Sequence, residues 1–337
     1  MFDLFYVESP LQLLTAIKAR RELAKNPVLI IKLGAEARKS NNQQIMALID
    51  KNDWPYVHFV YESNQGGPIG ELKYLLTTLK LHFRYKSKVR RYFFGELRNI
   101  YMAILGKSIR PKEMILLDDG AFTITAQLHF ITNKTLPYQH KHRAKITNLY
   151  DFLLSINLAD FVVPNLYSFF NFDGLLLDEQ VNYHKDKPKK QIQIETNVVY
   201  FFGSKFSEAG ILTEEAELKV IEETLAFYAN KKVHYIPHRD EHPQKLQRVV
   251  QLGGHILNLG GPAERFFDET DIMPEIVVAC YSTVLYSCFS RFSNVQTVAV
   301  DIRPFLLLDS IKLNVENVYC YYAKAGIAIK HLEKAVI

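Results

Sequence analysis

Cysteine is scarce in this chain: Cys280, Cys288 and Cys320 are the only three, and no two of them stand in CxxC spacing. An odd, unpaired set argues against a disulfide framework and fits a reducing compartment, where cysteine is mostly a small apolar core residue. Long hydrophobic runs are lacking too. The most apolar stretch, Asp151 to Leu177, is broken by Asp160, Pro164, Asn165 and Asp173, whereas a membrane-crossing helix needs about 20 mostly apolar residues. Met1 to Val7 has no basic leader region and runs directly into a patterned segment. There is no internal repeat, no low-complexity tract, and no zinc-knuckle, RNP-like or helix-turn-helix signature, so nucleic acid is not an expected partner. These absences predict a cytoplasmic protein, and oligomeric state leaves no trace in the sequence.

What is present is an ordinary globular balance. Hydrophobic residues make up 48% and charged residues 23% of 337 positions, enough chain for two α/β domains and too much for one ordinary core. Net charge is +5, and the positive charge is clustered. From Lys80 to Tyr92 the chain carries Lys80, Arg84, Lys86, Lys88, Arg90 and Arg91, with interleaved Phe83 and Tyr85 and no acid. A solvated helix running into a loop explains this segment. The functional readings are an anionic membrane surface (peripheral, at the inner face of the cytoplasmic membrane), an acidic glycan or a nucleic acid.

Short apolar strands alternate with helical patterns almost from end to end. Strands are predicted at residues 2–7, 28–32, 57–61, 91–94 and 114–117, with helices over 9–23 and 42–49. The polar, proline-containing Lys185-Asp-Lys-Pro-Lys-Lys190 has linker composition. A second set follows: strands at 197–202, 233–236, 255–257, 276–279 and 297–300, with helices over 213–229 and 241–252. That rhythm indicates βαβ units around mostly parallel sheets. It predicts a GT-B-like α/β architecture: two Rossmann-like domains, residues 1–190 and 191–337, facing a central cleft. Ligands in open α/β sheets sit at the carboxyl ends of strands, so the residues just past each strand carry the chemistry.

The first strand ends in Glu8-Ser9-Pro10-Leu11-Gln12. Ser9 suits an N-cap, Pro10 the first helical position, and Gln12 completes a capping box. The same helix start lies at the ligand-facing end of the sheet, which leaves Ser9, Pro10 and Gln12 an acceptor-side role. Asp118-Asp119-Gly120 follows the strand ending at Leu117. Paired carboxylates there can repel each other, leaving one as a base and the other structural. A plain turn explains the same residues, since Asp and Gly are common in turns. In the second half, His238-Arg239 follows a strand and Pro237, placing an imidazole and a cation where a phosphate leaving group can be met. The spacing of His234, His238 and His242 invites a metal, but Pro237 breaks any helix that would stack them. Ser282-Thr283 opens an apolar helical run, either as ordinary capping or as a phosphate site built from backbone N–H groups and hydroxyls. Gly261 precedes Glu264, a carboxylate placed to meet ribose hydroxyls or simply to favour a helix N-terminus.

Taken together, these segments resemble the bacterial lipooligosaccharide sialyltransferases and capsule polysialyltransferases. Those families share an acidic-acidic-Gly motif, a His-Pro motif and a Ser-Ser/Thr motif in that order. Asp118-Asp119-Gly120 and Ser282-Thr283 are similar to the first and third. Glu8 to Leu14, and Phe202-Gly203-Ser204 leading to Ser207-Glu208-Ala209-Gly210-Ile211, are similar to other stretches of these proteins. The His-Pro motif departs: His238-Arg239 follows the strand, and a literal His242-Pro243 comes four residues later. His238 is preferred because it directly follows the strand.

The resemblance implies an inverting, metal-independent transfer of sialic acid from CMP-sialic acid to a lipooligosaccharide or capsular acceptor, with no cofactor beyond the donor. Asp118 or Asp119 would be the base, with Glu208 in reserve. His238 would stabilise or protonate the leaving phosphate. Gly120, Gly203, Ser204, Arg239, Gly261, Glu264, Ser282 and Thr283 would complete the donor side. Transfer of Kdo or another CMP-nonulosonate is the nearest alternative. A non-catalytic binding protein for acidic glycan, membrane or nucleic acid is the alternative of another class.

Overall fold

A computed structural model describes residues 1–35, 38–50, 52–61, 68–137, 144–185 and 188–332. The chain divides into two compact units, Met1–Asp119 with Ala126–Lys185, and Gly120–Thr125 with Asp186–Ile337. Residues 186 and 187 of the linker-like stretch lie outside the described residues.

The first unit runs β1 (Phe2–Val7), α1 (Pro10–Leu23), β2 (Pro27–Leu33), α2 (Lys39–Leu48), β3 (Tyr56–Tyr61), α3 (Pro68–Tyr85), β4 (Val89–Phe94), α4 (Ile100–Ile109) and β5 (Glu113–Leu117). After β5 come the short α5 (Phe122–Thr125), a π-helical turn at Ala126–Ile131, α6 (Ala144–Leu154) and β6 (Asn165–Tyr167). Its six strands are parallel in the order β3-β2-β1-β4-β5-β6. Helices cover both faces of such a sheet, so its central strands must be apolar on both sides. Leu4, Phe5 and Val7 in β1 and Val28 to Ile31 in β2 are accordingly fully buried.

The second unit contains β7 (Gln193–Phe202), α7 (Glu214–Phe227), β8 (Lys232–Ile236), α8 (Pro243–Gln251), β9 (His255–Ile256), α9 (Ala263–Glu269) and β10 (Ile272–Ala279). It closes with α10 (Thr283–Arg291), β11 (Gln296–Val300), α11 (Asp309–Ala325) and β12 (Ala328–Lys330). Strand order is β12-β11-β10-β7-β8-β9. Both sheets therefore repeat one doubly wound order, in which the first and fourth strands lie side by side. Crossovers leave in opposite directions from that pair, and the crevice outside its carboxyl ends is where such sheets take ligands. The pair is β1/β4 in the first unit and β7/β10 in the second.

All ten predicted strands match strands of the structure, which adds β6 and β12, and the predicted helices match within a few residues. The reading missed α11, although its buried Val315, Val318, Tyr319 and Tyr322 repeat at helical spacing and Gly326, at φ +98°, ends it. Among the described residues no helix is long and apolar enough to cross a membrane.

Candidate active site

At the β1/β4 crevice the chain gathers polar groups onto one spot. Ser9 caps α1, its hydroxyl accepting from the Gln12 N–H at 3.2 Å, and buried Pro10 takes the first helical position. Gln12 departs from the expected capping box. Its Oε1 accepts from the Glu8 N–H at 2.8 Å, one residue before the cap, and its Nε2 donates to Asp119 Oδ1 at 2.7 Å. Gln12 is buried, so the amide is a fixed strut aimed at the carboxylate. Gly95 makes room for it: a Cβ there would lie 2.2 Å from Gln12 Oε1.

The two aspartates after β5 have separate roles. Asp118 is fully buried, and its carboxylate accepts from Ser168 Oγ at 2.5 Å and from the Phe169 N–H at 2.9 Å. It ties β5 to the chain leaving β6, which removes it as a base. Asp119 turns the other way, toward Gln12 and toward a residue the sequence reading passed over. Glu96, two residues beyond β4, is in hydrogen-bonding contact with the Asp119 carboxyl. Arg98 grips Glu96 with Nε at 2.8 Å and Nη2 at 2.7 Å, and its Nη2 lies 3.3 Å from Asp119 Oδ2.

Burial, then the charge of Glu96, push the Asp119 carboxyl well above the usual carboxylate range against the pull of Arg98 and Gln12. Burial works the same way on Glu96, but the Arg98 fork and the Asp119 hydrogen bond outweigh it and hold Glu96 low. Neighbouring carboxyls driven apart in this way mark acid–base sites. Glu8 completes the rim, its Oε2 accepting from Lys32 Nζ at 3.0 Å and from Asn99 Nδ2 at 2.9 Å. Gly120 follows Asp119 at φ +62°, a left-handed conformation that glycine adopts without strain.

The second unit brings another group of the expected residues together. Lys245, at 2% exposure, is met by Glu208 at 2.9 Å and by Glu217 and Glu241 at 3.0 Å each, and it donates to the Ser204 carbonyl at 2.8 Å. Glu241 passes this order on, accepting from the Tyr235 hydroxyl at 2.6 Å and from the His238 N–H at 2.5 Å. Gly203 is required here, because a Cβ would lie 2.3 Å from the Tyr235 hydroxyl and 2.6 Å from Glu241 Oε2.

Glu208 does not fit a reserve base. Burial would raise its pKa, but the His242 N–H at 2.8 Å and the Lys245 ammonium hold it low, so it remains a structural anion. His242 caps α8 ahead of Pro243, which leaves His238 as the histidine at the strand end. The His238 Nδ1 accepts from the Asp240 N–H at 3.2 Å, which puts the proton of the neutral ring on Nε2. Burial first, then the Arg239 guanidinium, lower its pKa to about 4. At neutral pH the imidazole is therefore an uncharged hydrogen-bond donor beside cations, and protonation of a leaving group is not its resting role.

Of the remaining donor-side residues, Arg239 lies 3.9 Å from Asp240, itself held by Lys205 at 2.7 Å. Ser282 caps α10, its hydroxyl accepting from the Val284 N–H at 3.4 Å, and Thr283 is the first helical residue. Both follow β10, the strand beside β7 that leads to Gly203. Glu264 sits in the first turn of α9. Gly261 has open space where a Cβ would go; the left-handed turn is made by Gly260, at φ +72°. Among the described residues no three His, Cys, Asp or Glu side chains are grouped as a metal site requires.

A family model described as Alpha-2,8-polysialyltransferase (POLYST) matches residues 3–300. No curated protein matches the chain. Among solved structures, MurG of Acinetobacter baumannii is similar with TM-score 0.51 and 9% identity over 98% of this chain and 86% of that one. UGT2 of Phytolacca americana, solved with UDP-2fluoro-glucose and pterostilbene, gives TM-score 0.53 and 10% identity over 99% and 86%. These two likenesses bear on the fold alone, which is GT-B. An α-2,3-sialyltransferase of Photobacterium phosphoreum aligns at TM-score 0.43 and 11% identity over 97% of each chain. Matched by the family model over nearly its whole length, the chain belongs to the alpha-2,8-polysialyltransferase family and is a CMP-sugar-dependent glycosyltransferase of sialyltransferase type.

Proposed function

We propose that the protein moves sialic acid from CMP-sialic acid to a lipooligosaccharide or capsular glycan by a single inverting displacement, with Asp119 as general base. The observation that carries this is the Asp119 carboxyl itself. It stands at the ligand-taking end of the first sheet, with Oδ1 fixed by Gln12 and with Glu96 raising its affinity for a proton. The acceptor hydroxyl attacks the anomeric carbon as its proton passes to Asp119, and the bond from that carbon to the CMP phosphate oxygen breaks. Glu96 is a positioning residue: pinned by Arg98, it keeps the neighbouring carboxylate basic.

His238 meets the leaving phosphate in the same reading. Its Nε2–H donates to a phosphate oxygen, with Arg239 and Lys205 supplying positive charge nearby. The start of α10 at Ser282 and Thr283 offers backbone N–H groups to the same phosphate, and Glu264 takes the ribose. CMP carries one phosphate and leaves with modest charge, so these groups suffice without a divalent cation.

Donor binding is tested by thermal unfolding. A nucleotide that binds only the folded protein adds about 2.7 kcal/mol of stability at a hundred times its Kd. CMP should raise the Tm of the wild type, and His238→Ala should reduce that rise. A rise with UDP or GDP but none with CMP overturns the donor assignment.

A further inference from the structure

The basic stretch from Lys80 to Tyr92 splits in the structure. Arg90 is committed to buried Asp3, with Nε at 2.9 Å and Nη2 at 2.6 Å, and Arg91 to Glu113 at 2.8 Å. Both also donate to the Leu23 carbonyl. These two cations hold β4 in place and are removed from any outside partner.

What remains lies upstream, on α3. Leu72, Leu76 and Phe83 are 54%, 57% and 74% exposed. With 100° of turn per residue, these three and Lys80 fall within about 80° of one another around the helix axis. Lys73 and Arg84 lie beyond Lys80 on one side of them, Arg84 also resting over the Tyr56 and Tyr85 rings. Residues 72–95 contain no Asp or Glu. The opposite side of α3 is anchored: Tyr74, Thr78, Leu81, His82 and Tyr85 are buried, and Leu75 and Leu79 pack in a cluster with Ile104 of α4 and Tyr150 of α6. The helix is therefore apolar on two sides, one facing the core and one facing out. A helix serving only as a cover would be polar on its outer side.

We propose that the outer face of α3 seats the protein on an anionic lipid surface. Leu72, Leu76 and Phe83 enter the boundary between headgroups and acyl chains, and Lys73, Lys80 and Arg84 meet the headgroup phosphates. Large apolar side chains bordered along one side by cations are the composition of an interfacial helix. Charge alone would suit an acidic glycan equally well. The three large apolar groups decide for lipid, because a polymer of hydroxyls and carboxylates gives them nothing apolar to enter.

The full chain should sediment at low salt with vesicles of equal parts phosphatidylglycerol and phosphatidylcholine, and not with phosphatidylcholine alone. Leu72→Ser/Leu76→Ser/Phe83→Ser should abolish most of that binding while leaving the circular dichroism and turnover on a soluble acceptor unchanged. Lys80→Glu and Arg84→Glu should each weaken binding by at least about five-fold, the factor matching about 1 kcal/mol per cation lost at an anionic surface. If the triple variant is misfolded, Phe83→Ser alone is read, with a partial loss expected. Binding that ignores the apolar substitutions, absence of binding to the anionic vesicles, or displacement by soluble polysialic acid without loss in Phe83→Ser, overturns the proposal.

Discussion

Asp119→Asn should lower kcat for sialyl transfer by about 10²–10⁴-fold, the usual contribution of a general base, while the melting temperature stays close to that of the wild type. Asparagine keeps the shape and the Oδ1 that accepts from Gln12 Nε2 at 2.7 Å, so the strut survives and the proton acceptor is lost. KM for the donor should change little, because the proposed donor contacts are His238, Arg239, Ser282, Thr283 and Glu264. Steady-state assay of released CMP gives both constants. Asp118→Asn makes the informative comparison. That carboxylate is fully buried beneath Ser168 and Phe169, so its loss should appear first as lower stability. A rate for Asp119→Asn within a few-fold of the wild type would remove the base from the account.

Lys245→Met should destabilise the protein by about 3–5 kcal/mol, the cost of removing one partner from a buried ionic cluster. Three carboxylates, from Glu208, Glu217 and Glu241, lie within 3.0 Å of the ammonium. Burial alone would strip the proton from Lys245, but Glu241, Glu217 and Glu208 outweigh it and hold the lysine charged, with its pKa raised. Methionine fills the same space and leaves those anions facing one another. Adding Glu217→Gln to Lys245→Met should recover part of the loss. Denaturant unfolding measures this, and a change below about 1 kcal/mol would show that the cluster is not a structural keystone. Glu241 also holds the His238 backbone, so the variant should lose turnover as well as stability.

The sequence discloses the architecture because parallel strands buried on both faces are written as apolar runs, as in Val28 to Ile31. It points to candidate residues because Asp118-Asp119-Gly120 and His238 each follow such a run. It does not separate Asp118 from Asp119. Adjacent residues at a strand end point to opposite sides, and only the placement of β6 shows that Ser168 claims Asp118. Glu96 stays hidden for a related reason. Gly95-Glu96-Leu97-Arg98 reads as a turn until the sheet order sets the end of β4 between those of β1 and β5. The strand-end rule applied to β5 points to Glu96 when applied to β4 as well. Gln12 and Glu208 misled in the same manner: each suits a local motif, and each is claimed by a partner distant in sequence, Asp119 in one case and Lys245 in the other.

The claim on which the rest depends is that Glu96 and Asp119 work as one unit. The dependence of kcat/KM on pH tests it most directly, because its acid limb reports ionisation of the base in the free enzyme. Asp119 must be ionised to act. It is raised by burial and Glu96 and lowered by Arg98 on the loop after β4 and by neutral Gln12 on α1, with Glu8 and Lys32 paired one step away at the rim. Removing the Glu96 charge in Glu96→Gln should lower its pKa, move the acid limb to lower pH and reduce the plateau rate. Removing the cation in Arg98→Gln should move the limb to higher pH. Opposite displacements are the predicted result; an acid limb that stays in place in both variants would contradict it.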